Sequence, residues 1–247
     1  MNSKYPITYK AIFNARGNSY EEAMRLLPQA RKREFENLFN YYSPSPDAVV
    51  VDIPSGGGYL KQYLPETVNF KPLETSEVFA SYGNSAVCTW DKLPLKTKSV
   101  DVITCCAALH HVESEIRPLF FDEALRSLKK GGHFICCDVE KGSEQDEFLN
   151  VFVDEHNPIG HNGDFISESL ADSFTPNFEI MSNKIEKYMW KLGADEEVAL
   201  KYLQLLFGIS EATLSEIKSE AERLLSFRSD GEYIINWQLR YITCQKK

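Results

Sequence analysis

One short stretch constrains the fold of this chain more than any other: Val49-Val50-Val51-Asp52-Ile53-Pro54-Ser55-Gly56-Gly57-Gly58. A β-branched run that is apolar on both faces suits a strand in the middle of a parallel sheet, where helices cover both sides. It ends in a carboxylate and turns through glycines into an expected helix; glycines reach conformations closed to other residues and let a ligand approach with no Cβ in the way. In open α/β sheets the ligand crevice lies beyond the carboxyl ends of the strands, where this turn falls.

Downstream, strand-like and helix-like pieces alternate. Strands are predicted over 69–74, 87–90, 99–106 and 133–138, and a helix over 113–130 that stops at Gly131-Gly132. Upstream, Ala23, Leu26, Leu27, Ala30, Phe35 and Leu38 recur at roughly helical spacing, with Ser19 as a cap and Pro28 as a break. Past residue 140 the rhythm changes to a strand over 178–190 and helices over 195–207 and 210–227 around Gly208. A period-two strand then sets Tyr233, Ile235, Trp237, Leu239 and Tyr241 against polar neighbours. The expected fold is α/β, a Rossmann-like, doubly wound, mostly parallel sheet of about seven strands with an N-terminal helical cover and a C-terminal helical lid. One domain over 1–247 is expected, divided into a cover (1–46), a cofactor-binding core (47–140) and a substrate-side half (141–247) with a helical insertion at 194–228.

Composition removes whole classes of function. Lys plus Arg is 27 and Asp plus Glu 36, a net charge of −9, whereas nucleic acids and anionic membranes reward clustered positive charge. The chain is 43% hydrophobic and 26% charged, ordinary for a globular domain. No run approaches the ~18 apolar residues of a membrane span. The first twenty residues lack the apolar stretch of a secretory signal, and the expected location is the cytoplasm. Six cysteines stand at 88, 105, 106, 136, 137 and 244, without a Cys-x-x-Cys pair and with four in vicinal doublets. Vicinal side chains on a strand point to opposite faces, so these read as small buried hydrophobes rather than metal ligands.

The glycine turn does not fit a dinucleotide loop, which needs Gly-x-Gly-x-x-Gly. Gly56 and Gly58 are followed by Lys61, and a count from position 54 begins on proline. Asp52, at the strand end, suits a cationic or hydrogen-donating ligand better than a diphosphate. Glu74 ends the second strand 22 residues later, the spacing at which an acid in such folds accepts hydrogen bonds from ribose. Trp90-Asp91 ends the third strand, an acid placed for an adenine amino group beside an aromatic ring. The implied ligand is zwitterionic and carries a ribose.

Asp52, Gly56 and Gly58, then Glu74, then Asp91 with Leu93-Pro94-Leu95, Ser99-Val100-Asp101 entering a strand, and Leu128-Lys129-Lys130-Gly131-Gly132 entering another: this order resembles the class I S-adenosylmethionine-dependent methyltransferases. It is most similar to the small-molecule branch that includes the quinone-biosynthesis methyltransferases, well over 45–140 and in outline beyond. The resemblance implies S-adenosyl-L-methionine as cofactor and methyl transfer to oxygen or carbon of a small, apolar or aromatic molecule. Asp52, Gly56 and Gly58, with Pro54 in the same loop, would hold the methionine end and sulfonium region. Glu74 would hold the ribose, Trp90 with Asp91 the adenine, and Cys106 and Ala107 would lie along the cofactor. The family usually has glycine where this chain has Pro54, and proline donates no hydrogen bond. That difference keeps open a methyltransferase-like binding protein without catalysis; a protein methyltransferase is a third reading. A dehydrogenase is disfavoured by the glycine spacing.

Methyl transfer draws much of its rate from positioning, with a general base as a useful addition. His110 and His111 follow the fourth strand, where an acceptor would approach, and an imidazole has a pKa suited to taking a hydroxyl proton. The alternative is a capping or packing role. The Asn or Asp followed by two prolines, usual there in enzymes that methylate base amino groups, is absent. A second polar cluster holds Asp138, Glu140, His156, Asn157, His161 and Asp164. Asp138, His156 and His161 are candidate substrate contacts, with a hydrogen-bonded loop as the alternative. Their irregular spacing does not predict a metal. Arg31-Lys32-Arg33 reads as a solvated helix face from which Arg31 could reach a cofactor carboxylate, and His133 as structural. Phe165, Phe174, Tyr188, Trp190, Tyr202, Phe207 and Trp237 are core by default, but a lid rich in aromatics suits a planar or greasy acceptor. The expected partner is a small-molecule acceptor, with no nucleic acid and no membrane span; a homodimer is compatible with the sequence.

Overall fold

The structure is a computed structural model that describes residues 8–174 and 176–247. In chain order the main elements are α1 (Tyr9–Leu26), α2 (Lys32–Asn37), β1 (Val49–Asp52), β2 (Asn69–Glu74), α3 (Glu77–Gly83), β3 (Ala86–Val87) and β4 (Val100–Cys106). They continue with α4 (Arg117–Ser127), β5 (Leu128–Asp138), α5 (Glu144–Glu147), a π-helical turn (Phe148–Val153) and α6 (Asp154–His156). Last come β6 (Phe178–Lys191), α7 (Glu196–Phe207), α8 (Leu214–Leu225), β7 (Arg228–Ser229) and β8 (Tyr233–Lys246).

The strands form one sheet in the order β3-β2-β1-β4-β5-β8-β6, with β7 added beside β8. β1 to β5 run parallel; β8 is antiparallel to β5, and β6 to β8. β1 lies between β2 and β4, so the winding reverses beside it and opens a crevice at its carboxyl end. Side chains alternate across the sheet, as strand geometry requires. Val50, Val102, Ile135 and Cys137 join the apolar layer on one face; Val51, Ile103, Cys105 and Cys136 join the other. This is why the cysteine doublets split, and all six thiols are free.

Several boundaries differ from the sequence expectation. α4 stops at Ser127 because Leu128, fully buried, already pairs with Val100; Gly131-Gly132 lies inside β5, near a register shift opposite β4, rather than closing a helix. β3 is two residues long and ends before Trp90. The glycine turn leads into a 3-10 turn over Tyr59–Tyr63, not an α-helix. α1 is capped by Thr8, whose hydroxyl accepts from Ala11 N at 3.2 Å, and runs through Ser19, whose hydroxyl bonds back to Arg16 O at 2.9 Å. α8 starts only after Thr213, where Thr213 and Glu216 form a reciprocal capping box. No helix among the described residues is long and apolar enough to cross a membrane.

Candidate active site

The crevice beyond β1 is a cavity with about 870 Å³ of empty space, roofed by α1 and walled by the glycine turn, the segment after β4 and the end of α7.

At its floor, Asp52 is buried and accepts a 2.6 Å hydrogen bond from the Thr104 hydroxyl on β4. Burial pushes its carboxyl up to about 7, partly offset by that bond. A carboxylate so enclosed is stabilised by any cationic group that enters. Pro54 and Gly56 line the cavity. Gly56 and Gly58 take left-handed backbone angles (φ 55° and 79°), which explains glycine at both. Gly58 itself faces away, toward Gly83.

Glu74 stands behind the turn rather than in the walls. Its Oε2 accepts from Gly56 N at 2.7 Å and from the Tyr9 hydroxyl at 3.3 Å; Oε1 accepts from the backbone of Thr75 and Ser76. Burial again lifts it to about 7 against these bonds. Trp90 is buried beneath Tyr9, edge-on at 5.6 Å, and Asp91 is exposed; neither lines the cavity, because β3 ends early and Thr89 to Lys92 forms a separate turn. Cys106 and Ala107 do line it. Ala107 holds a left-handed φ of 49°, a conformation costing a non-glycine residue about 1–3 kcal/mol and common at functional bends.

His110, His111 and His161 converge on the same cavity, with one ring nitrogen from each within 4.8 Å of the others. Asp138, at the end of β5, accepts from His110 Nδ1 at 2.7 Å and from His110 N at 3.0 Å. A carboxylate has no proton to give, so His110 Nδ1 carries the hydrogen and donates it to Asp138. Asn150 Oδ1 fixes His161 Nδ1 likewise at 3.2 Å. Burial, and next the neighbouring His110, hold His111 and His161 well below the ordinary histidine range, so both are neutral at pH 7. Of the predicted substrate contacts, His161 is in the walls and Asp138 acts behind His110. His156 is not brought to the cavity: half-buried on α6, it packs edge-on against Phe152 at 4.7 Å.

Sequence reasoning missed the inner face of α1. Tyr9, Phe13, Arg16 and Tyr20 fall at i, i+4, i+7 and i+11, one helical stripe, and all line the cavity. Arg31 corrects the solvated-face expectation: it is 6% exposed and paired with fully buried Glu34, while Lys32 and Arg33 remain in solvent. Its guanidinium lies over the rings of Phe35, Trp190 and Tyr20. Trp190 stacks on Trp237 at 4.4 Å, and Phe207 extends this wall at 5.8 Å from Trp237. The aromatics expected in the lid thus serve as core and cavity wall together.

A family profile described as a methyltransferase domain matches residues 51–136. No protein of curated function matches the chain by sequence. Among solved structures, a SAM-dependent methyltransferase from Thermotoga maritima is similar at 22% identity and a TM-score of 0.60, over 96% of this chain and 99% of that one. The geranyl diphosphate C-methyltransferase from Streptomyces coelicolor, solved with Mg2+, geranyl diphosphate and S-adenosyl-L-homocysteine, is similar at 16% identity and a TM-score of 0.56, over 92% and 84%. At such identities the likeness is one of fold. Residues 51–136 thus match a methyltransferase-domain family, and the chain as a whole shares the fold of these methyltransferase structures.

Proposed function

We propose that this chain methylates a small, planar or apolar molecule at oxygen or carbon, in the cavity beyond β1. The observation that carries the reading is that one cavity joins Asp52, a buried carboxylate without a cationic partner, to an oriented imidazole cluster and an aromatic wall. Asp52 fits the cationic methionine end of S-adenosylmethionine, the glycine turn gives its backbone room, and Glu74 fits the ribose hydroxyls. Tyr9, Phe13 and Phe79 border the space left for the adenine, with Trp90 supporting Tyr9 from below and Asp91 outside. When bound, the cofactor supplies a methyl group on positively charged sulfur, open to in-line displacement.

The chain's own residues do the rest. Asp138 fixes the His110 ring so that Nε2 can take the proton of an acceptor hydroxyl as the new bond to carbon forms. Burial disfavours the charged form of His111 and His161, so they compete poorly with His110 for that proton. The wall of Trp190, Trp237 and Phe207 excludes water and suits a flat or greasy body. Residues 1–247 act as one unit of cover, core and lid. The acidic net charge speaks for an acceptor other than nucleic acid, and six free thiols suit a reducing compartment such as the cytoplasm.

Titration with S-adenosylhomocysteine, followed by labelled methyl transfer into a metabolite extract with the product identified by mass, tests this. Micromolar or tighter binding and a labelled small molecule are expected; no binding at millimolar ligand rejects the reading.

A further inference from the structure

One charge in the cavity is used by neither the fold's ion pairs nor the proposed cofactor contacts. Arg16 lies on the inner face of α1 and lines the cavity. Its Nη1 donates to Phe207 O at 2.9 Å and its Nη2 to Leu206 O, the last carbonyls of α7. Its Nε is shut off from solvent and has no partner. Among the described residues no carboxylate lies within ion-pair distance of Arg16, whereas the buried guanidiniums of Arg31 and Arg240 are matched by Glu34 and Glu140.

The surroundings make up only part of the deficit: the guanidinium lies over the Phe13 ring at 5.3 Å. The end of a helix offers roughly half a negative charge. The imidazoles of His111 and His161 are neutral, and Arg16 itself helps to keep them so. Burial lowers the guanidinium only to about 10, so it stays charged at neutral pH. An enclosed charge with an unsatisfied donor favours a ligand that brings the opposite sign. Its place also separates it from the cofactor contacts. It is bonded to the lid helix next to Phe207 of the aromatic wall, whereas Asp52 and the glycine turn lie at the end of β1.

We propose that the methyl acceptor is an organic carboxylate: its anionic end pairs with the Arg16 guanidinium, its planar or apolar body lies on Trp190, Trp237 and Phe207, and its reacting atom meets His110. Each Nη gives one of its two hydrogens to a carbonyl, so the Nε–H and one hydrogen on each Nη remain for a carboxylate. This deepens the proposed function and rests on the acceptor occupying this cavity.

The test uses three acid and amide pairs, phenylacetate and phenylacetamide, indole-3-acetate and indole-3-acetamide, octanoate and octanamide, titrated into the full chain with S-adenosylhomocysteine present. At least one acid is expected to bind about tenfold or more tightly than its amide, as for a charged hydrogen bond removed from water. Arg16→Gln should abolish that preference while changing affinity for the amide and for S-adenosylhomocysteine by no more than about twofold; Arg16→Lys should retain part of it. Equal binding of every acid and its amide, or no binding of any acid, overturns the proposal. So does an Arg16→Gln variant that loses S-adenosylhomocysteine as much as the acid, since Arg16 then serves the cofactor. Should Arg16→Gln not fold, the wild-type comparison and Arg16→Lys decide. Loss of S-adenosylhomocysteine binding by the wild type, with acid preference intact, counts against the methyltransferase reading alone.

Discussion

The hydroxyl of Tyr9 donates at 3.3 Å to Oε2 of Glu74, the same oxygen that receives the backbone N–H of Gly56. One carboxylate oxygen therefore ties the N-terminal cover to the glycine turn. All four bonds the two oxygens of Glu74 accept come from the chain, so a ribose hydroxyl would replace Tyr9 rather than fill a gap. Glu74→Ala is expected to weaken S-adenosylhomocysteine binding about 10- to 100-fold, the loss typical of hydrogen bonds to a charged group. Tyr9→Phe should stay within about threefold of wild type, because the phenol competes with the ligand. Calorimetric titration of both variants checks the contrast.

Asp138 accepts from the backbone and the ring of His110 and from Val139 N. Asp138→Asn places a donor where the ring also donates, so the imidazole turns or changes tautomer. Methyl transfer should fall about 10²- to 10⁴-fold, the usual contribution of a positioned general base. Affinity for S-adenosylhomocysteine should stay near wild type, and an equal loss in both would place Asp138 in the cofactor site.

The cavity also dictates a pH dependence. Asp52 and Glu74 are lifted to about 7 in the fold, from about 3.9 and 4.3 in the unfolded chain. Between those limits the folded state binds more protons, so the stability these groups lend is complete below about pH 4 and lost as pH rises toward 7. His111 and His161 act oppositely: depressed in the fold, they lend stability that is complete above about 6.5 and lost as pH falls. From pH 6.5 to 8 the two carboxylates change most, against the smaller opposing change as the unfolded histidines lose their remaining protons. The melting temperature of the ligand-free protein should therefore fall across that window, and fall less in Asp52→Asn. A melting temperature that rises from pH 6.5 to 8 would contradict the assignment.

Trp190 is 1% exposed, stacked on Trp237 and covered by the Arg31 guanidinium at 5.6 Å. Trp190→Ala should cost about 3–5 kcal/mol in urea denaturation, the usual price of emptying a large aromatic site. Trp190→Phe keeps a ring under Arg31 and should cost less than half as much.

What could be read in the sequence was local. The run from Val49 to Asp52, the glycines after it and Glu74 at the end of β2 carry their meaning in short patterns, and the structure sets all of them at the crevice or just behind it. His110 and His111 followed from their place after β4. Arg16, Tyr9 and Phe13 were not legible: their helical spacing is visible, but only packing decides that this stripe faces the crevice rather than solvent. Glu34 was hidden for a related reason, since Arg31, Lys32 and Arg33 read alike until the fold buries one and leaves two in water. Gly131-Gly132 misled because the same dipeptide that ends a helix also permits a strand irregularity, and the pairing of Leu128 with Val100 chose the latter.

Arg16 grips the last carbonyls of α7 from its place on α1, so the two roofs share a fastening. A side-chain loss at residue 16 would therefore loosen cover and lid together.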